Sequence, residues 1–264
     1  MFISFKSFDV RRHSHLFMEK NSITQMKVFV CMVFFTWAAR SLAFPCHPAI
    51  DPQRPQYMIG YGSLIDEQSK KRTDPTAEES LPVLVTGYRR SWSVHSHLPG
   101  LNTTYLSIVE DPHASFNGVI YKLSQAANIH KYDLREKIYC RRALNSHQLK
   151  TFVGTFPEQK QIWIYVTKKQ KLEPPTHDTP IVQSYVDIFV RGCIQAEEKF
   201  NINHFAKDCI KTTTQWSIHW ENDRIFPRRP TFNEPYADKI DALLQELLPE
   251  NFKRINIVYQ DARY

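Results

Sequence analysis

From Tyr57 to Thr167 the chain is a succession of short β-branched and aromatic runs broken by turn residues, and after Pro180 the apolar period becomes that of amphipathic helices. Strands first, with one helix among them, then helices: that order points to an α+β fold, not to alternating βαβ units. Tyr57-Met58-Ile59 reads as a buried strand stopping at Gly60. Val83 to Val94 reads as a strand pair or one strand bent at Gly87. Tyr105–Val109 and Phe116–Leu123 flank Glu110-Asp111-Pro112 and read as an antiparallel pair joined by a turn. Ser124 offers an N-cap for a helix to about Lys137, after which Tyr139–Leu144 and Gln161–Thr167 are strands. Ile181–Phe200, Phe205–Ile210 and Asp238–Leu248 read as helices. The expected fold class is therefore α+β, a small, mixed, mostly antiparallel β-barrel with helices, plus a C-terminal helical extension. Residues 56–167 form the expected core domain, and residues 175–264 the extension packed on it.

A targeting segment is expected before that core. From Met26 a lysine is followed by an apolar run from Val28 to Ala39 and by Ser41-Leu42-Ala43, the layout of a secretory signal. The run is too short to cross a bilayer, which takes about 20 residues. Residues 1–43 are read as a leader, with the signal peptide at 26–43 and cleavage near Ala43; residues 1–25 are either an extended basic n-region or precede a start at Met26, the favoured reading. The expected localisation is export, periplasmic or secreted.

Charge then loses its first meaning. The 264 residues carry 34 Lys+Arg against 27 Asp+Glu, a formal +7. The leader holds six of those cations against two anions, which leaves 28 against 25 in the remainder. A surplus that small gives no basic stripe for phosphates, so no nucleic-acid partner is expected. Nor is a membrane span expected once the leader is gone. Cys46, Cys140, Cys193 and Cys209 remain, an even number in an exported chain, compatible with disulfides in any of three pairings or with buried free thiols. His95-x-His97 alone does not make a metal site, and no metal or organic cofactor is expected.

Three segments carry possible chemistry. Tyr61-Gly62-Ser63-Leu64 is a glycine turn after a strand, which can aim backbone N–H groups at an anion; a plain turn is the commoner reason for such a sequence. Arg135-Glu136-Lys137 ends the one helix among the strands. A carboxylate there serves as a general base only if its surroundings are apolar enough to raise its pKa, and most such helix ends are simply solvated. The third group is Gly87-Tyr88-Arg89-Arg90-Ser91-Trp92, with Val109-Glu110-Asp111-Pro112 and Gly118-Val119-Ile120-Tyr121. In the helical part, Trp216, His219, Trp220, Glu221, Asp223 and Arg224 cluster near Arg228 and Arg229. This cluster reads chiefly as tryptophan packing with arginines paired to carboxylates.

In that order, these motifs resemble the gamma-glutamylcyclotransferase superfamily, most closely its ChaC-like branch. The resemblance covers roughly residues 56–167 and says little about 175–264. It implies a reaction in which the free α-amine of a gamma-glutamyl amide attacks its own side-chain carbonyl. The products are 5-oxoproline and the released amine or peptide, and attack within one molecule makes positioning the main task. It implies Glu136 as the catalytic general base, and Tyr61, Gly62, Ser63 and Leu64 as the substrate-binding turn. The implied partner is a small gamma-glutamyl compound: glutathione, a gamma-glutamyl amino acid or an amine. Lys137-Ile138-Tyr139 departs from the branch, where a glycine usually stands between the Arg-Glu segment and the tyrosine. A non-catalytic binding protein that keeps the fold is the alternative.

Overall fold

The computed structural model describes residues 46–96, 102–155, 159–229 and 233–259. The expected leader lies outside the described residues, which all belong to one compact unit, Ala43–Tyr264. Along the chain the elements are β1 (Gln56–Gly60), α1 (Glu67–Thr73), β2 (Leu81–His95), β3 (Thr104–Lys122), α2 (Ile129–Arg135), β4 (Cys140–Ala143), β5 (Leu149–Thr151), β6 (Gln161–Val166), β7 (Ile181–Val182), α3 (Gln183–Phe200), α4 (Phe205–Lys211), β8 (Thr213–Thr214), β9 (Trp220–Asn222), α5 (Ala237–Leu247), α6 (Pro249–Phe252) and β10 (Asn256–Ile257).

The main sheet runs β4-β6-β1-β3-β2-β5, with β8 against β2. It is mostly antiparallel, and only β1/β6 and β2/β8 are parallel. The fold is α+β. Side chains alternate between two cores, as the two-residue period of a strand requires. Met58, Leu106, Trp163 and Tyr165 join α3, α4 and α5 on one face. Tyr57, Ile59, Ile108, Ile162 and Ile164 face the other way, where Leu144 and Leu149 from the two edges also lie. That second core is made of sheet and its loops alone, so the sheet curls over its own face. Among the described residues β4 and β5 do not pair, and the expected barrel is not closed.

Two local readings change. Glu110-Asp111-Pro112 is not a turn: β3 runs through it and pairs with β2 along almost its whole length. The ladder slips opposite Gly87, which sits at φ +86°, so one strand bends there and Pro112 falls where no partner needs its missing N–H. Val83, Val85 and Tyr88 consequently share one core, odd positions giving way to even. The expected helix from Ser124 to Lys137 is shorter. It begins as a 3-10 turn at Ala126–Asn128 and lacks a side-chain cap, because the Ser124 hydroxyl is engaged by Thr76 and Asn128. Glu136 is its C-cap residue.

α3 lies on the sheet. Gly192 lets it approach closely: a Cβ there would meet Asp66 N at 2.6 Å. Asp66 in turn caps α1 by accepting from Ser69 N and accepts from Arg191 of α3. β7, β9 and β10 form a small parallel sheet beside α3. Two disulfides, Cys46–Cys140 and Cys193–Cys209, resolve the pairing that the sequence left open.

Candidate active site

Two adjoining cavities share Ser63, Glu136, Tyr139 and Tyr185. The larger, about 340 Å³, is walled also by His95, Tyr105, Lys137, Ile138 and Arg229. The smaller, about 30 Å³, is floored by Tyr61, Gly62, Ser63 and Leu64. Glu136 stands at their junction, so the acid and the glycine turn, 72 residues apart at Ser63 and Arg135, meet in one place.

The turn is built by the end of β1. Ile65 N donates to Gly62 O at 3.0 Å, which closes residues 62–65 as a tight turn. Tyr61 and Leu64 anchor it from both sides, Tyr61 in the sheet-lined core and Leu64 in the helix-side core. The Tyr61 hydroxyl donates to Tyr165 O at 2.8 Å. Gly62 suits the turn for a packing reason the sequence did not show. Its φ is not positive, and an added Cβ would meet the Tyr185 hydroxyl at 2.9 Å. Tyr185, from the first turn of α3, reaches the Ser63 backbone N–H, and burial pushes its phenol up to about 12. The Tyr185 hydroxyl thus faces one amide of the predicted anion cradle.

Arg90 fixes the turn from below. This fully buried guanidinium donates to the carbonyls of Tyr61 (3.1 Å), Asn117 (2.8 Å) and Cys209 (2.7 Å). It also donates to the Thr213 hydroxyl at 2.8 Å. Burial lowers its pKa to about 9. It binds the turn to β3 and α4, a role invisible in Arg89-Arg90 as a sequence.

Arg135 joins the turn to the acid. Its Nη2 donates to Ser63 Oγ at 2.9 Å and to Ser69 Oγ at 3.0 Å, and its Nε lies 3.1 Å from Glu136 Oε1. The Glu136 side chain is 15% exposed. Burial raises its pKa above the usual carboxylate range, against the opposing pull of Arg135 and Arg229. Tyr139 donates its hydroxyl to Leu106 O at 3.0 Å and so walls the cavity instead of filling it.

The helical part contributes what sequence reasoning assigned elsewhere. Arg224 pairs with Asp187 and Asp241, and Arg228 with Glu221, as expected. Trp216 stacks on Trp220 at 5.2 Å and meets Trp92 edge-on, away from the cavity. Arg229 is the exception: it lies in the larger cavity, its guanidinium 5.5 Å from the Tyr105 ring and 5.7 Å from that of Tyr185. The signal that could have found it is its place beside Arg228, but two neighbouring arginines give no hint of which one turns inward. Among the described residues no group of His, Cys, Asp and Glu is arranged to hold a metal ion. His97 lies outside them.

No family model matches the chain, and no curated protein matches it. Several solved structures resemble it weakly. One is named gamma-glutamyl cyclotransferase: TM-score 0.48, 12% identity, 72% of this chain and 99% of that one covered. Another is an uncharacterized protein from Homo sapiens, with TM-score 0.46 and 13% identity over 71% and 98%. A yeast cyclotransferase, named as specific to glutathione, has TM-score 0.36 and 11% identity over 74% and 97%. Among the described residues no helix is long and apolar enough to cross a membrane.

Proposed function

We propose that this protein is a gamma-glutamylcyclotransferase-like enzyme that converts a gamma-glutamyl amide to 5-oxoproline and a free amine or peptide. The observation that carries this reading is the position of Glu136, a carboxylate of raised pKa at the junction of two cavities, one of them floored by the Tyr61–Leu64 turn. The motif order from Tyr61 to Tyr139 supports the same reading.

The chemistry follows from the geometry. The smaller cavity has room for about one water, so it takes a carboxylate or carbonyl oxygen, and the rest of the substrate lies in the larger one. Glu136 takes a proton from the substrate's α-ammonium. The amine nitrogen then forms a bond to the side-chain carbonyl carbon (Cδ), closing a five-membered ring. As the C–N bond to the leaving group breaks, Glu136 returns the proton to the leaving nitrogen; the ring nitrogen's surplus proton then passes through the freed carboxylate to the released amine, which leaves as an ammonium. Backbone N–H groups of the turn stabilise the oxygen on which charge develops. Arg135 orients the carboxylate and holds Ser63, keeping base and cradle in register.

Export belongs to this proposal, and the two disulfides support it, since such bonds persist in oxidising compartments. Incubation of purified protein with glutathione, gamma-glutamyl amino acids and gamma-glutamyl amines, followed by measurement of 5-oxoproline, tests the reading. Product from at least one class is expected, reduced about 10²-fold or more by Glu136→Gln, which keeps the shape and loses the proton acceptor. Equal product from both proteins, or none from either, removes the reading.

A further inference from the structure

Arg229 is a cation in the cavity wall whose charge is felt by Glu136 but which makes no direct ion pair among the described residues. Among the described residues no carboxylate lies within ion-pair distance of it, and its Nε is buried with no hydrogen-bond partner. Among the described residues its one side-chain hydrogen bond is a long one, Nη1 to the Tyr105 hydroxyl at 3.4 Å. The neighbouring arginines behave otherwise, since Arg224 and Arg228 both pair with acids. A guanidinium presents a planar fork that fits a carboxylate bidentately, and one held ready between two aromatic rings loses little freedom on binding.

The placement is built. Asp223, fully buried, accepts from Ser184 N and Ser184 Oγ, both at 2.7 Å, and from Arg228 N at 2.7 Å. Ser184 Oγ accepts in turn from Arg229 N at 3.1 Å. The segment bearing Arg229 is thereby fastened to the first turn of α3, one residue before Tyr185. Asp223 is thus a fastener between this segment and α3.

Position decides what Arg229 meets. It lines the larger cavity and not the smaller, whereas Gly62 and Leu64 line the smaller and not the larger, with Glu136 between them. If an oxygen of the gamma-glutamyl head sits in the glycine turn and its amine faces Glu136, the portion expelled extends into the larger cavity toward Arg229. Resting on the cyclotransferase reading, we propose that Arg229 holds a carboxylate on the leaving group, so that the substrate class is gamma-glutamyl amino acids or peptides and not uncharged gamma-glutamyl amines.

Gamma-glutamylalanine and gamma-glutamylethylamide differ only in that carboxylate. Calorimetric titration of each into full-length protein carrying Glu136→Gln separates binding from turnover. At least tenfold tighter binding of gamma-glutamylalanine is expected. Arg229→Met should abolish that preference while leaving the ethylamide affinity within about threefold, and Arg229→Lys should keep part of it. Equal affinities with Arg229 in place overturn the proposal, as does no binding of either ligand or an equal loss of both in Arg229→Met. The preference in the Arg229 protein decides the matter even if Arg229→Met fails to fold. Preferential binding without 5-oxoproline formation by the Glu136 protein leaves the carboxylate site standing and removes the cyclisation reading instead.

Discussion

At Glu136 burial raises the pKa, so the folded protein holds its proton more tightly than the unfolded chain does. Between the unfolded and folded pKa values the native state binds more protons, and stability falls as pH rises through that window. Above it the charged carboxylate is a standing cost. Glu136→Gln should therefore match or exceed the parent protein in thermal stability at pH 7 while losing activity, a separation visible in paired melting and rate measurements. The base must be ionised to act, so the acid limb of kcat/KM should lie above the usual carboxylate range and vanish with Glu136→Gln. The sequence made Glu136 and the glycine turn legible because short motifs recur in order. It could not show Arg229 or Tyr185 at the site, nor that Arg135 reaches Ser63. Each reaches it by a side-chain direction that depends on packing between distant segments.

On the scale of elements, Arg90 ties three of them together: the turn after β1, β3 at Asn117, and the end of α4 at Cys209. Arg90→Met takes a buried donor from three carbonyls; Cys209 O keeps the Thr213 hydroxyl, and each carbonyl left without a partner costs about 1–3 kcal/mol. A loss of about 3 kcal/mol or more in denaturant unfolding is expected, with reduced activity in whatever remains folded because the turn loses its floor. Gly192→Val, by contrast, should act through overpacking: the side chain has no room against Asp66, and about 1–3 kcal/mol is the usual cost. Long periodic elements such as α3 and β6 were readable from the sequence. The turn expected at Glu110–Pro112 was not, because a proline in a bulged strand and a proline in a hairpin look alike until the partner strand is known. α1 escaped for a different reason. Glu67–Thr73 carries no apolar stripe and is held by the Asp66 cap and by buried Lys70, whose ammonium meets Glu78 O and Ser80 Oγ.

For the molecule as a whole, the two cores meet across one curled sheet, and the disulfides fasten each end of the candidate site. Cys46–Cys140 pins the strand that follows Glu136, and Cys193–Cys209 joins α3, which bears Tyr185, to α4, which Arg90 grips. Closing a loop of 16 residues is worth about 3 kcal/mol in the chain-entropy account. Replacing Cys193 and Cys209 together by alanine should lower stability by about that amount in denaturant titrations, and reduction of the native protein should lower its melting temperature. The class of fold was legible in the order of elements, but the closure of the sheet was not, since pairing at the edges leaves no mark in either strand's own sequence.

The central claim is that Glu136 drives an attack within the substrate, not an attack by water. Turnover of gamma-glutamylalanine in water enriched in oxygen-18, with products weighed by mass spectrometry, tests it most directly. The account predicts 5-oxoproline free of the heavy isotope, formed in equal amount to alanine and lost with Glu136→Gln. Glutamate carrying oxygen-18 as the first product, or unlabelled 5-oxoproline formed equally well by Glu136→Gln, would contradict it.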